Sequence, residues 1–168
     1  MVGVIDGRQA AARLVATYSC IANDMRYTAA VFDHCLYFNT SALARRLERE
    51  WSAAFEPFDL TPPQAFMLRA VIERQGLLQS ELSEALSIAR PTATRALDGL
   101  EAKGYVERYR SAVDGREVSI LPTPKAVRLR NALNEASGAV TARLKKELGG
   151  GAFAGAVAVI RGIRSALE

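Results

Sequence analysis

Arg90, Thr92, Thr94 and Arg95 fall within one short stretch around Pro91, and all four side chains are of types that address a polyanion. A guanidinium meets phosphate or the edge of a guanine, and a threonine offers a hydroxyl to phosphate and a methyl to thymine. Arg108, Arg110 and Arg116 follow, the last directly behind Asp114-Gly115. Asp-Gly between two β-like runs signals a hairpin turn, so Arg116 is expected at a loop tip that can enter a narrow, electronegative groove. Asp114 sets that turn or braces Arg116.

No pattern of comparable focus suits catalysis. Asp33 and His34 are adjacent, and neighbours on a helix point about 100° apart, so they cannot form an orienter and base. Gly149-Gly150-Gly151 lacks the Lys and Ser/Thr of a phosphate-cradling loop and reads as a hinge. Cys20 and Cys35, with the single His34, cannot assemble a four-ligand zinc site, and two thiols in 168 residues do not make a secreted disulfide scaffold. No metal, no cofactor and no enzymatic activity are expected.

The net charge of +4 is compatible with a polyanionic partner and with many ordinary proteins. More specific is that Arg supplies 18 of the 22 basic residues, although a GC-rich genome has the same effect on codon choice. The local balance runs the other way. From Gln79 to Glu117 there are six basic residues and seven acidic ones, so Glu81, Glu84, Asp98, Glu101 and Glu107 must point away from phosphate or pair with Arg.

A 49% apolar share with 24% charged residues describes a globular chain, with no signal peptide and no run long enough to span a membrane. The expected location is the cytoplasm. Residues 1–30 are Ala-rich and weakly periodic and suggest one or two short helices. From Asp33 to about Phe55, Leu36, Leu43, Leu47 and Trp51 recur at spacings of four and seven among charged residues, an amphipathic helix.

Thr61-Pro62-Pro63-Gln64 has the form of a capping box with Pro at the first helical position, opening a helix through Phe66, Leu68, Val71 and Ile72 that Gly76 stops. A short helix over Gln79 to Leu86 buries Leu82, Ala85 and Leu86, and Ser87-Ile88-Ala89 turns the chain. From Pro91 to Gly104 a third helix buries Ala93, Ala96, Leu97 and Leu100 and turns Pro91, Thr92, Arg95 and Gly99 outward. The period then shortens to about two over Tyr105–Arg110 and Val118–Leu121, a β-hairpin. Thr123-Pro124 opens a long helix with Leu129, Leu133, Ala136, Val140, Leu144 and Leu148 at near-heptad spacing. A last helix places Phe153, Val157, Ile160 and Leu167 on one side.

Over residues 33–168 the sequence resembles the MarR family of regulators, most densely between Gln79 and Lys125. The run from Leu86 to Arg108 resembles the family's recognition helix and first wing strand, Asp114-Gly115-Arg116 its Asp-x-Arg wing motif, and Leu121-Pro122-Thr123-Pro124-Lys125 the exit into the next helix. The resemblance implies a mainly α fold with a small β-hairpin wing, divided into an extension over 1–32, a winged helix-turn-helix unit over 61–123, and dimerisation helices over 33–60 and 124–168. It implies a homodimer that binds a palindromic operator in double-stranded DNA, with Arg90, Thr92, Thr94, Arg95, Arg108, Arg110 and Arg116 at the interface.

By the same resemblance a small aromatic or anionic effector lodges between the dimerisation helices and the winged unit, where Tyr37, Trp51, Phe55, Phe58 and Phe66 are candidates for a pocket lining or for plain core. A redox-sensing branch of the family carries a reactive thiol near the start of its first long helix, which makes Cys35 a candidate. In that branch the cysteine is arranged differently relative to the Leu-Tyr, which here follows at once as Leu36-Tyr37. An ordinary interfacial thiol, and a winged helix used for protein contacts alone, are the competing readings.

Overall fold

The computed structural model describes residues 31–110 and 118–167. The helices expected within residues 1–30, Cys20 among them, and the turn holding Asp114, Gly115 and Arg116 lie outside the described residues. In chain order the elements are α1 (Leu36–Phe55), a 3-10 turn (Glu56–Phe58), α2 (Pro62–Glu73), β1 (Leu77–Leu78), α3 (Gln79–Ala85) and α4 (Arg90–Ala102). They continue with β2 (Val106–Arg110), β3 (Val118–Pro122), α5 (Pro124–Leu148) and α6 (Gly150–Ala166). The chain divides into two compact units, Met1–Leu47 and Glu48–Glu168.

In the first unit the Asn39 amide nitrogen donates to the carbonyls of Phe32, Asp33 and Cys35 at 3.2, 2.9 and 2.9 Å and ties the first turn of α1 to the residues before it. Phe32 and Phe38 stack with ring centroids 5.2 Å apart. Leu36, Tyr37 and Leu43 are exposed despite their apolar character.

The second unit is built on a core of Phe55, Leu60, Ala65, Met67, Leu68, Val71, Ile72, Leu82, Leu97, Leu100, Ile120 and Leu133. Each fully buried Leu, Ile or Phe of this set contributes about 1.5–3 kcal/mol of transfer free energy. α2 starts where Thr61 predicts: the Gln64 side-chain oxygen accepts from the Thr61 N–H at 3.2 Å, with Pro62 in the first turn. It ends at Glu73, three residues before Gly76, because Gly76 adopts φ +77° and delivers the chain into β1.

β1 has no counterpart in the sequence reading, which foresaw only a hairpin. It exists because Leu77 and Leu78 pair antiparallel with Ile120 and Ser119, giving a three-stranded sheet in the order β1-β3-β2. The hairpin itself runs in the register Val106↔Pro122 to Arg110↔Val118. Leu77, Val106 and Ile120 are all buried, so one face of this sheet closes the core under α2 and α4.

Two further expectations are corrected. Ala85 is exposed, and α3 buries Leu82 and Ser83 instead. Gly99 does not face outward; it lies under the Gln64 side chain, whose amide would have to shift to admit a Cβ there.

α5 is capped by Thr123, whose hydroxyl oxygen accepts from the Ala126 N–H at 3.3 Å. It buries Ala126, Leu133, Ser137 and Val140. Gly149, at φ +83°, breaks the helix, and α6 follows with no buried residue although Val157, Val159 and Ile160 lie along it.

Candidate nucleic-acid interface

α3, the turn and α4 place the predicted basic cluster at the surface. Ser87 takes a left-handed conformation at φ +50°, and the Ile88 N–H returns to the Ser83 carbonyl at 3.0 Å, so the chain reverses within three residues. α4 then opens with Arg90 and Pro91 in its first turn, and the Thr92 and Ala93 N–H groups bond the Ala89 carbonyl. Its inner face buries Ala93, Ala96, Leu97 and Leu100, which leaves Arg90, Thr92, Arg95 and Asp98 exposed. Neither Arg90 nor Arg95 has a carboxylate partner among the described residues.

The acidic residues that crowd this segment are largely accounted for by internal partners. Arg108, on β2, reaches across to α4 and pairs with Asp98 at 2.7 Å and Glu101 at 3.0 Å. Its guanidinium is largely shielded, and it also approaches the Thr94 carbonyl at 3.5 Å. Arg108 therefore ties β2 to α4 and offsets one of the two carboxylate charges it meets there. Glu81 accepts from the Leu78 N–H at 2.8 Å and pairs with Arg74 at 3.0 Å. Glu107 accepts a hydrogen bond from the Tyr109 phenol, which together with the carboxylate charge and slight desolvation raises the Tyr109 pKa above 10.0 and keeps it an O–H donor.

Thr94 is occupied as well. Its hydroxyl donates to the Arg90 carbonyl at 3.0 Å and accepts from the Gln79 amide at 2.9 Å. At the far end of α4 the Lys103 ammonium pairs with Asp59 at 3.1 Å. The Lys125 ammonium donates to the Lys103 carbonyl at 2.7 Å and lies 4.3 Å from the centre of the Tyr105 ring. Cations at the C-terminal carbonyls suit the negative end of the helix dipole. α4 is thus held at both ends.

Of the remaining predicted residues, Arg110 is exposed at the end of β2. Trp51, Phe55 and Phe66 come together, with Phe66 5.7 Å edge-on from Phe55 and 6.3 Å from Trp51. Phe55 is fully buried, whereas Phe66 stays partly open and has the Arg69 guanidinium 5.6 Å from its ring centre. Ser137 of α5 accepts from both Trp51 (3.2 Å) and Arg69 (3.0 Å), and Asn134 accepts from Arg69 at 2.8 Å. The rings, a cation and two polar groups therefore meet where α1, α2 and α5 join. Phe58 packs against the core edge. Tyr37 and Cys35 belong to the first unit, where Tyr37 is 81% exposed and Cys35 is a half-buried free thiol. Arg69 and Gln79 are the polar groups that sequence reasoning passed over; each is a helix residue whose partner is remote in sequence, so spacing alone carried no signal.

Helices α2, α3 and α4 with a tight turn between the last two, followed by a hairpin packed beside them, define a winged helix-turn-helix. Residues 58–117 match the family model of the MarR family. The chain is 33% identical over 102 residues to the HTH-type transcriptional regulator TtmR of Methylorubrum extorquens (strain PA1), covering 61% of this chain and 52% of that protein. It is 30% identical over 83 residues to the HTH-type transcriptional regulator YybA of Bacillus subtilis (strain 168), covering 49% and 55%. The chain thus spans about half the length of the curated relatives it matches. Among solved structures, the S. aureus MepR chain crystallised with DNA superposes with a TM-score of 0.71 at 24% identity, over 78% of this chain and 96% of that one. Over residues 58–117 the chain is thus similar to the MarR family, and its fold is that of a winged helix-turn-helix protein.

Proposed function

We propose that the chain is a sequence-specific DNA-binding regulator of transcription that reads a palindromic operator as a homodimer in the cytoplasm, without catalytic activity. The observation that carries this is the sorting of charge on α4: Arg90 and Arg95 are exposed and have no carboxylate partner among the described residues, while Asp98 and Glu101 share the Arg108 guanidinium, which offsets one of their two charges. An apparently acidic segment thereby offers phosphate a basic face. Thr92 and Arg110 are exposed as well and add to the polar surface offered to phosphate. MepR, similar in fold, has been crystallised on DNA.

Residues 61–123 serve as the reading unit, and residues 33–60 with 124–168 as the dimerisation region. The exposed Val157, Val159 and Ile160 of α6 and Leu36, Tyr37 and Leu43 of α1 are the kind of apolar surface that a second copy covers. A small aromatic anion suits the junction of Trp51, Phe66 and Arg69, the last of which has no carboxylate partner among the described residues. Selection of duplexes from a random pool by the purified chain tests the function: two inverted half-sites about one DNA turn apart are expected. Recovery of no consensus overturns the reading.

A further inference from the structure

Thr94, which directly precedes Arg95 on α4, is hydrogen-bonded to Gln79, and the two do not behave as independent polar residues. A threonine hydroxyl has one proton and two lone pairs. At Thr94 the proton goes to the Arg90 carbonyl (3.0 Å) and one lone pair to the Gln79 amide nitrogen (2.9 Å). No proton remains for a phosphate oxygen or a base acceptor. The same commitment fixes which end of the Gln79 amide faces Thr94, because a hydroxyl whose proton is spoken for can only accept, and only the nitrogen end can donate to it.

Gln79 is the first residue of α3 and is half-buried. Its second N–H and its carbonyl oxygen have no partner among the described residues. A donor and an acceptor side by side on one amide match the N7 and N6–H2 edge of adenine in the major groove. Resting on the DNA-binding reading above, we propose that Gln79 is a specificity-determining residue. It reads an adenine adjacent to the guanine contacted by Arg95, and Thr94 acts only as the positioning residue that holds its amide. A side chain already fixed by Thr94 loses little freedom on binding.

The test uses the full chain and its selected duplex, with the adenine pair replaced by each other base pair in turn. Wild type is expected to prefer A·T at that position by about tenfold, the order of one good bidentate contact. Gln79→Leu abolishes the preference at that pair alone and leaves the guanine preference of Arg95 intact. Thr94→Val, which keeps the volume and removes the hydroxyl, lowers it several-fold and adds nothing further in the Gln79→Leu background. Gln79→Glu, which can accept but not donate, moves the preference toward cytosine, a shift that a merely structural role does not produce. Equal weakening of all duplexes by Gln79→Leu with base preferences unchanged, or additive losses in the double variant, overturns the proposal. If wild type selects no duplex at all, the DNA-binding reading fails first, and this inference with it.

Discussion

Arg95 and Arg108 are the same side chain put to opposite uses. Arg95 stands exposed on α4 with no carboxylate partner among the described residues, whereas Arg108 is closed down between Asp98 and Glu101. Replacing Arg95 with Ala is therefore expected to weaken operator binding by about 1–3 kcal/mol and to relax specificity at one base pair, leaving the melting temperature unchanged. Equal operator affinity in the variant removes Arg95 from the interface. Arg108→Met is expected to act differently. It strips charge-assisted hydrogen bonds of about 1.5–3 kcal/mol in gross terms, less what solvent screens at Asp98 and Glu101, so the melting temperature falls. It also leaves two bare carboxylates on the recognition helix, so duplexes of every sequence bind more weakly; a variant that melts normally and binds DNA normally contradicts this. Thr92 and Arg95 were legible from spacing, because the helical period places them with Pro91 on one side of α4, while Arg90 stands at its first position. The employment of Arg108 and Thr94 was not, since it depends on partners brought near by the fold.

At the scale of elements, sequence signals were strongest where the cap is local. Thr61 with Gln64, and Thr123 with Pro124, mark the starts of α2 and α5 within a few residues of themselves. β1 left no such mark, because two leucines become a strand only through pairing with Ile120 and Ser119 far along the chain. Its presence explains an oddity of α3, whose first-turn position is preceded by Leu78, a residue with no side-chain acceptor to offer. Glu81 supplies the other half of a capping box, its carboxylate accepting from the Leu78 N–H at 2.8 Å. Glu81→Ala is accordingly expected to lower stability by about 1 kcal/mol, whereas Glu81→Gln, which keeps an acceptor, costs much less. Chemical denaturation of the two variants checks this. If they lose stability equally, the ion pair with Arg74 rather than the cap is what matters, against the ordinary weakness of exposed pairs.

For the whole molecule, a net charge of +4 said little; the arrangement of charge says more. Arg108 offsets part of the acidic charge of α4, Arg90 and Arg95 have no carboxylate partner among the described residues, and α1 and α6 carry exposed apolar side chains. The fold class was readable because each element carries its own periodicity and punctuation. The junction of Trp51, Phe66 and Arg69 was only half readable: the aromatic spacing was visible, while the cation and the Ser137 hydroxyl come from α2 and α5. Sedimentation of the purified chain at twice its 18.2 kDa mass is the expected outcome for a dimer, and a monomer at micromolar concentration contradicts the proposed half-site geometry. The central claim is tested most directly by fluorescence anisotropy of the purified chain against its selected duplex and a scrambled duplex of equal composition, at two salt concentrations. The account predicts tight preference for the selected duplex, with affinity falling steeply as salt rises because arginines displace counterions from phosphate. Equal, weak and salt-insensitive binding to both duplexes contradicts it.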